Sequence, residues 1–189
     1  MTKQELRKKY RERREQFTAS DLSKLDDLLL IKFQQAGIPF VNTLMSYFPI
    51  PGNNEPDTHL YAKYLQFVNP QLNVCFPVSD FANYTMTAIS INAETLFQPN
   101  MKGIPEPIAG TETDPLGIDI IFVPLLTFDQ KGYRVGYGKG FYDRFLLRCS
   151  SDCIKVGFSY FEPVEAISDK DDFDVPLDLC ITPQEVYVF

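Results

Sequence analysis

The sequence contains a single histidine, His59, and four cysteines, Cys75, Cys149, Cys153 and Cys180, which form neither a Cys-x-x-Cys pair nor a Cys/His cluster. That pattern offers no zinc or thioredoxin-like motif. A disulfide framework would need an oxidising compartment, and nothing else in the chain suggests one, so the cysteines are read as buried thiols. No stretch approaches the ~18 uninterrupted apolar residues of a membrane span, and no apolar run follows the basic start as it would in a secretory signal. A cytoplasmic protein with no membrane partner is therefore expected. Positive charge is in deficit: 18 Lys and Arg against 25 Asp and Glu leave a formal charge of -7. Binding to a phosphate backbone draws on many basic contacts, so a nucleic-acid partner is not expected. Walker A, GxGxxG and kinase HRD or DFG motifs are missing, as is any Ser, Cys or His nucleophile constellation. His59 falls at an expected helix start, where it is read as a surface or packing residue.

What is present is a chain of 189 residues, 44% hydrophobic and 23% charged, enough to bury one core. Residues 1–189 are read as a single domain without internal repeats. Lys3 to Gln16 has helical composition, and Thr18 with Asp21 fits a capping box ahead of Leu22, Leu25, Leu28, Leu29 and Phe33, with Gly37 as the stop. Strands are expected within 41–48, 72–78, 87–91, 118–126, 154–160 and 178–182, and helical segments at 57–68 and 140–149. Several strands are apolar on both faces. Alternation of such strands with helices predicts a three-layer α/β/α sandwich with a largely parallel or mixed central sheet. The Pro-containing stretch 98–116 is read as a long connection.

Two features depart from this ordinary composition. Residues 1–14 hold seven Lys or Arg against two Glu on an otherwise acidic chain. Residues 132–146, GYRVGYGKGFYDRFL, place four glycines among aromatics and charges between a strand and a helix. Glycine lets backbone N–H groups approach a ligand closely, so the bend is a candidate anion cradle. Arg134 and Lys139 would add charge, and Asp143 could hold a divalent cation against phosphate oxygens. A glycine bend that only lets elements pack closely is the competing reading.

The segment VPLLTFDQKGYRVGYGKGFYDRFL resembles the signature of the 5-formyltetrahydrofolate cyclo-ligase family, also called 5,10-methenyltetrahydrofolate synthetases, which runs close to VPGLAFDxxGxRLGYGxGYYDRxL. Further elements recur in the family's order: Lys3 and Arg7 in KQELR, EPDT at 55–58, GIPEP at 103–107 and DVPLD at 174–178. The departures are Phe141 for a usual Tyr and Leu125-Leu126-Thr127 for Gly-Leu-Ala. The resemblance implies a fold similar to sugar-phosphate isomerases and CoA transferases. It also implies conversion of 5-formyltetrahydrofolate to 5,10-methenyltetrahydrofolate, with ATP as co-substrate and Mg²⁺ as cofactor.

By the same resemblance, Lys139, Arg134 and Tyr142 are expected to be catalytic. ATP is expected on Lys3, Arg7, Arg134, Gly136, Tyr137, Gly138, Lys139, Gly140, Phe141 and Tyr142, and the folate on Phe48, Glu55, Tyr137 and Tyr142. Mg²⁺ is expected on Asp143 and Asp174, with Asp171 and Asp172 as competitors for the latter role. Lys8, Lys9, Arg11, Arg13 and Arg14 are read as a solvated charged face. A monomer is expected, and the alternative activity is a noncatalytic nucleotide or folate-binding module on the same scaffold.

Overall fold

The structure is a computed structural model that describes all 189 residues. The chain opens with helix α1 (Lys3–Glu15), capped by Thr2 and Glu5, and helix α2 (Ala19–Gln35), capped by Thr18 and Asp21. Each box satisfies backbone donors at both ends of the first turn, so the helices begin where the sequence signals them. Then follow β1 (Thr43–Met45), α3 (Thr58–Val68), β2 (Asn73–Asp80) and β3 (Thr85–Ser90). Three short strands come next, β4 (Phe97–Pro99), β5 (Pro105–Pro107) and β6 (Thr111–Thr113). The last part of the chain forms β7 (Ile120–Val123), β8 (Thr127–Phe128), β9 (Arg134–Val135), α4 (Phe141–Leu146), β10 (Ile154–Phe158), β11 (Leu179–Ile181) and β12 (Val186–Val188).

Eight strands form one sheet in the order β12-β11-β10-β7-β1-β2-β3-β6. Neighbours from β11 to β2 pair in parallel, whereas β12, β3 and β6 join antiparallel, so the sheet is mixed with a parallel centre. Side chains alternate between its faces. Leu44, Val74, Ile120, Phe122, Val156 and Phe158 pack with Leu6 and Tyr10 of α1, Leu29 and Phe33 of α2, and Tyr61 and Leu65 of α3. Met45, Cys75, Ile121, Val123 and Cys180 point the other way, against Phe145 and Leu146 of α4. Both faces are covered, which gives the three layers and explains strands that are apolar throughout. Phe158 stacks on Tyr61 at 4.0 Å and meets Phe122 edge-on at 5.0 Å. Each such buried ring contributes about 1.5–3 kcal/mol.

Four details differ from the sequence reading. The stretch 98–116 is not a plain connection: β4 and β5 form a hairpin and β6 extends the main sheet. These strands have three residues each and contain proline or threonine and glutamate, too short for an alternating pattern to register. Strand β12 was unannounced for the same reason. Helix α4 spans only 141–146 of the expected 140–149. Cys149 is half-buried, while the other three thiols are buried, and all four are free.

The chain runs from β1 to β2 on one side, and β7 joins β1 on the other. In sheets of this kind a crevice opens at the carboxyl ends of the strands where the order reverses. Here it opens beyond Met45 and Val123.

Candidate active site

A cleft of about 1050 Å³ occupies that position. It brings together the candidate site residues, from Lys3 and Arg7 through Phe48, Glu55 and Arg134 to the bend Gly136–Asp143, Asp171 and Asp174, and leaves out only the competitor Asp172. The bend leaves β9 and enters α4 through Gly138 at φ +86° and Gly140 at φ +70°, left-handed conformations that glycine adopts without strain. The successive N–H groups from Gly136 to Gly140 donate to no other group of the protein. Unpaired donors of this kind are what an anion cradle requires. Lys139 is exposed and has no acidic partner, its ammonium lying 5.7 Å from the Tyr84 ring. Phe141 packs edge-on against Phe81 and Tyr84, at 5.5 and 5.8 Å.

Helix α1 lies across the bend. Arg7 donates through Nε to the Gly136 carbonyl at 2.9 Å and fills the space above Gly138, where an added Cβ would stand 3.0 Å from its Cζ. Lys3 is already paired, donating to both oxygens of Asp174 at 2.7 and 2.6 Å and to Asp171 at 3.4 Å. One candidate phosphate ligand and one candidate metal ligand are thus joined to each other across 171 residues. The segment beyond β10 holds this end of α1 further, because Asp169 accepts from the Lys3 N–H at 2.6 Å.

Arg134 is buried and donates to the Val175 carbonyl at 2.5 Å and to Asp143 Oδ1 at 2.9 Å. Burial draws the guanidinium below its ordinary pKa, and Asp143 opposes that shift. The Val175 N–H also reaches Asp143 Oδ1, at 3.2 Å, so Oδ2 carries no hydrogen bond. No group of three or more His, Cys, Asp or Glu side chains gathers to form a complete metal cage. Magnesium is commonly held by one or two carboxylates plus substrate phosphates, and the open oxygen of Asp143 fits that arrangement. Asp174 fits it less well, since Lys3 and the Asp171 N–H occupy both its oxygens.

On the opposite wall stands Glu55, its side chain 1% exposed. Its Oε2 accepts from the Ile50 N–H at 2.5 Å, and its Oε1 accepts from the Tyr137 hydroxyl. Burial raises the Glu55 pKa, while Tyr137, the Ile50 N–H and Arg14 oppose the rise. The phenols of Tyr142 and Tyr137 are pushed up as well, first by burial and then by the Glu55 charge. Phe48 stacks on Phe76 at 4.6 Å and meets Phe97 of the β4–β5 hairpin at 5.1 Å, forming an aromatic wall. His59 packs edge-on to Phe48 at 4.8 Å, the packing role expected for it.

Arg14 corrects the sequence reading. It is not part of a solvated face: it is 1% exposed, and its guanidinium lies between Leu125, Tyr137 and Glu55. Arg11 was missed too, since it lines the cleft with its guanidinium 5.6 Å from the Tyr137 ring. The signal was available, because Lys3, Arg7 and Arg14 lie four and then seven residues apart and share one side of a helix.

Fold and cleft together define an α/β protein that presents a row of unpaired backbone N–H donors beside a buried carboxylate and an aromatic wall. The chain belongs to the 5-formyltetrahydrofolate cyclo-ligase family, whose profile matches residues 1–183. A 5-formyltetrahydrofolate cyclo-ligase of Mycoplasma pneumoniae is 29% identical over 191 aligned positions, covering 97% of this chain and 100% of that protein. A cyclo-ligase of Mycoplasma genitalium is 39% identical over 84 residues, covering 44% of this chain and 50% of that protein. Among solved structures, the 5,10-methenyltetrahydrofolate synthetase of Aquifex aeolicus superposes with a TM-score of 0.80 at 28% identity, covering 100% of this chain and 93% of that one.

Proposed function

We propose that the protein cyclises 5-formyltetrahydrofolate to 5,10-methenyltetrahydrofolate at the expense of ATP, releasing ADP and phosphate. The observation that carries this reading is the convergence in one cleft of a row of unpaired N–H donors, an unpaired Lys139 and a buried Glu55. A formamide is a poor electrophile, and closing the ring requires loss of its oxygen. Transfer of the γ-phosphoryl group to that oxygen breaks the γ-phosphorus bond to ADP and forms an iminium phosphate. N10 then attacks the formyl carbon, the C–O bond breaks, phosphate departs and N10 gives up its proton.

Such phosphoryl transfer is catalysed by positioning and charge stabilisation. In this reading the N–H groups of Gly136–Gly140 and Arg7 cradle the triphosphate. Lys139 meets the charge on the transferred group, and Arg134 fixes Asp143 through their 2.9 Å contact. Asp143 would hold Mg²⁺ through its open oxygen, with Asp174 beside it paired to Lys3, and the ion would supply charge neutralisation at the phosphates. Glu55 accepts paired N–H donors of the pterin, while Phe48, Tyr137 and Tyr142 wall its ring. Phe141 contributes its ring face alone. The same reading has the protein working as a monomer in the cytoplasm; the net charge of -7 supports the absence of a nucleic-acid partner.

The test mixes purified protein with 5-formyltetrahydrofolate, ATP and Mg²⁺ and follows the methenyl absorbance. An ATP-dependent rise is expected. Binding of both ligands without turnover would mean a noncatalytic module, and binding of neither would overturn the reading altogether.

A further inference from the structure

Arg14 is the largest fully buried side chain in the protein and stands outside the residues assigned to either substrate. Its contacts are specific. Nη2 donates to the Leu125 carbonyl at 2.5 Å, where the chain passes from β7 to β8. Nη1 reaches the Tyr137 hydroxyl at 3.4 Å and lies 3.9 Å from Glu55 Oε1. The Arg14 carbonyl accepts from the Asn54 side chain at 2.8 Å, so the residue preceding Glu55 is tied to the same point. Asn54 holds a left-handed φ of +47°, a conformation uncommon outside glycine that this contact helps to fix. The Nε of Arg14 is buried with no acceptor at all. Leaving a buried charged donor short of a partner is costly, and a site that tolerates it holds the group for another purpose.

We propose that Arg14 is the positioning residue of the folate subsite, its buried guanidinium holding Glu55 as a carboxylate and setting Tyr137 over it until the pterin takes the hydroxyl's place. This rests on the reading of Glu55 as the pterin acceptor. An isolated carboxylate in such a place would take up a proton, and a protonated Glu55 could no longer accept two N–H groups from a flat heterocycle. The groups that bear on Glu55 are Arg14 from α1, Tyr137 from the bend, Tyr142 from α4 and Tyr47 from the segment after β1. Arg14 is the one cation among them. It also explains why Tyr137 points its hydroxyl at Glu55, where it occupies Oε1 until a ligand supplies its own donor.

The experiment measures binding of 5-formyltetrahydrofolate without ATP, by calorimetry across pH 5–9, for the wild type, Arg14→Gln, Arg14→Lys, Glu55→Gln and the double variant Arg14→Gln/Glu55→Gln. In the wild type, affinity falls as pH drops through the Glu55 pKa. In Arg14→Gln this limb moves up by about one pH unit or more, so at a pH below both limbs affinity falls about ten-fold or more, one unit of pKa corresponding to a factor of ten. ATP affinity stays within about two-fold of the wild type, the scatter of a change that leaves the cradle alone. Arg14→Lys keeps the limb nearer the wild-type position, and Glu55→Gln abolishes it. The double variant leaves no charge buried alone, so it tests the idea even where Arg14→Gln fails to fold, and it binds folate as Glu55→Gln does. A folded Arg14→Gln with the wild-type limb, equal losses for ATP and folate, or a double variant weaker than Glu55→Gln would each overturn the assignment of Arg14. A wild type that binds no folate overturns the folate reading of Glu55 and this proposal with it.

Discussion

Replacing Gly138 with alanine tests whether the bend is shaped by backbone conformation and by Arg7 together. Gly138 sits at φ +86°, where an L-residue costs about 1–2 kcal/mol. The new Cβ would stand 3.0 Å from Arg7 Cζ and 3.2 Å from its Nε, so the guanidinium must shift by a few tenths of an ångström. That weakens its 2.9 Å hydrogen bond to the Gly136 carbonyl, a contact of a charged donor worth about 1.5–3 kcal/mol in full. Losing part of it brings the total to about 2–3 kcal/mol, and at about 2–4 °C per kcal/mol for a domain of this size the melting temperature falls by about 4–12 °C. Gly136 is the internal control. It is outside the left-handed region, and a Cβ there meets only the Pro124 carbonyl, at 3.9 Å. Alanine at 136 is therefore expected to leave the melting temperature unchanged or raise it, by up to about 1 kcal/mol of stability. Scanning calorimetry of both variants, with ATP titrations, makes the comparison. Equal melting temperatures for Gly138→Ala and Gly136→Ala would refute the steric argument. A destabilised Gly138→Ala that binds ATP as tightly as the wild type would remove Arg7 from the nucleotide site.

Lys139→Ala is expected to melt within about 0.5 kcal/mol of the wild type, because the side chain is exposed and has no acidic partner, yet to lose turnover by at least about 100-fold if it meets the transferred phosphoryl group. Steady-state kinetics beside a thermal melt decide it, and near-normal turnover removes Lys139 from the reacting centre. Asp143→Asn keeps an acceptor for Arg134 but halves the charge available to a cation, so the Mg²⁺ concentration for half-maximal activity should rise about ten-fold; an unchanged Mg²⁺ titration would place the ion elsewhere. Asp26 is a structural case. Burial raises its pKa although the hydroxyls of Tyr160 and Tyr61 and the Asp57 N–H all donate to Oδ1. A carboxyl with a raised folded pKa binds more protons in the native state, so the wild type gains stability as pH falls through that pKa towards the unfolded value near 3.9. Asp26→Asn is therefore expected to be the more stable protein at pH 7 by urea denaturation and to lose that advantage in acid. A constant difference from pH 7 to 4 would contradict the assignment.

Periodicity and capping fix local structure, and those parts were legible in the chain itself. Thr18 with Asp21 started α2, the doubly apolar strands implied a covered sheet, and the glycine run marked the bend at φ values only glycine adopts freely. The linear order of KQELR, EPDT, the glycine segment and DVPLD is enough by itself to mark the family. Three-residue strands such as β6 carry too few positions for a pattern, so the antiparallel edges of the sheet stayed hidden. The partners of charged residues were equally invisible. A helical repeat says that Lys3, Arg7 and Arg14 share a side, but not that this side packs on the site rather than facing water. Arg14 meets Tyr137 across 123 residues, and Lys3 meets Asp174 across 171. Sequence determined which side chains were present and which faces were apolar. Only the tertiary structure decided which buried charges stand together, because desolvation and pairing depend on distances that the chain sets when the sheet brings its remote segments to one edge.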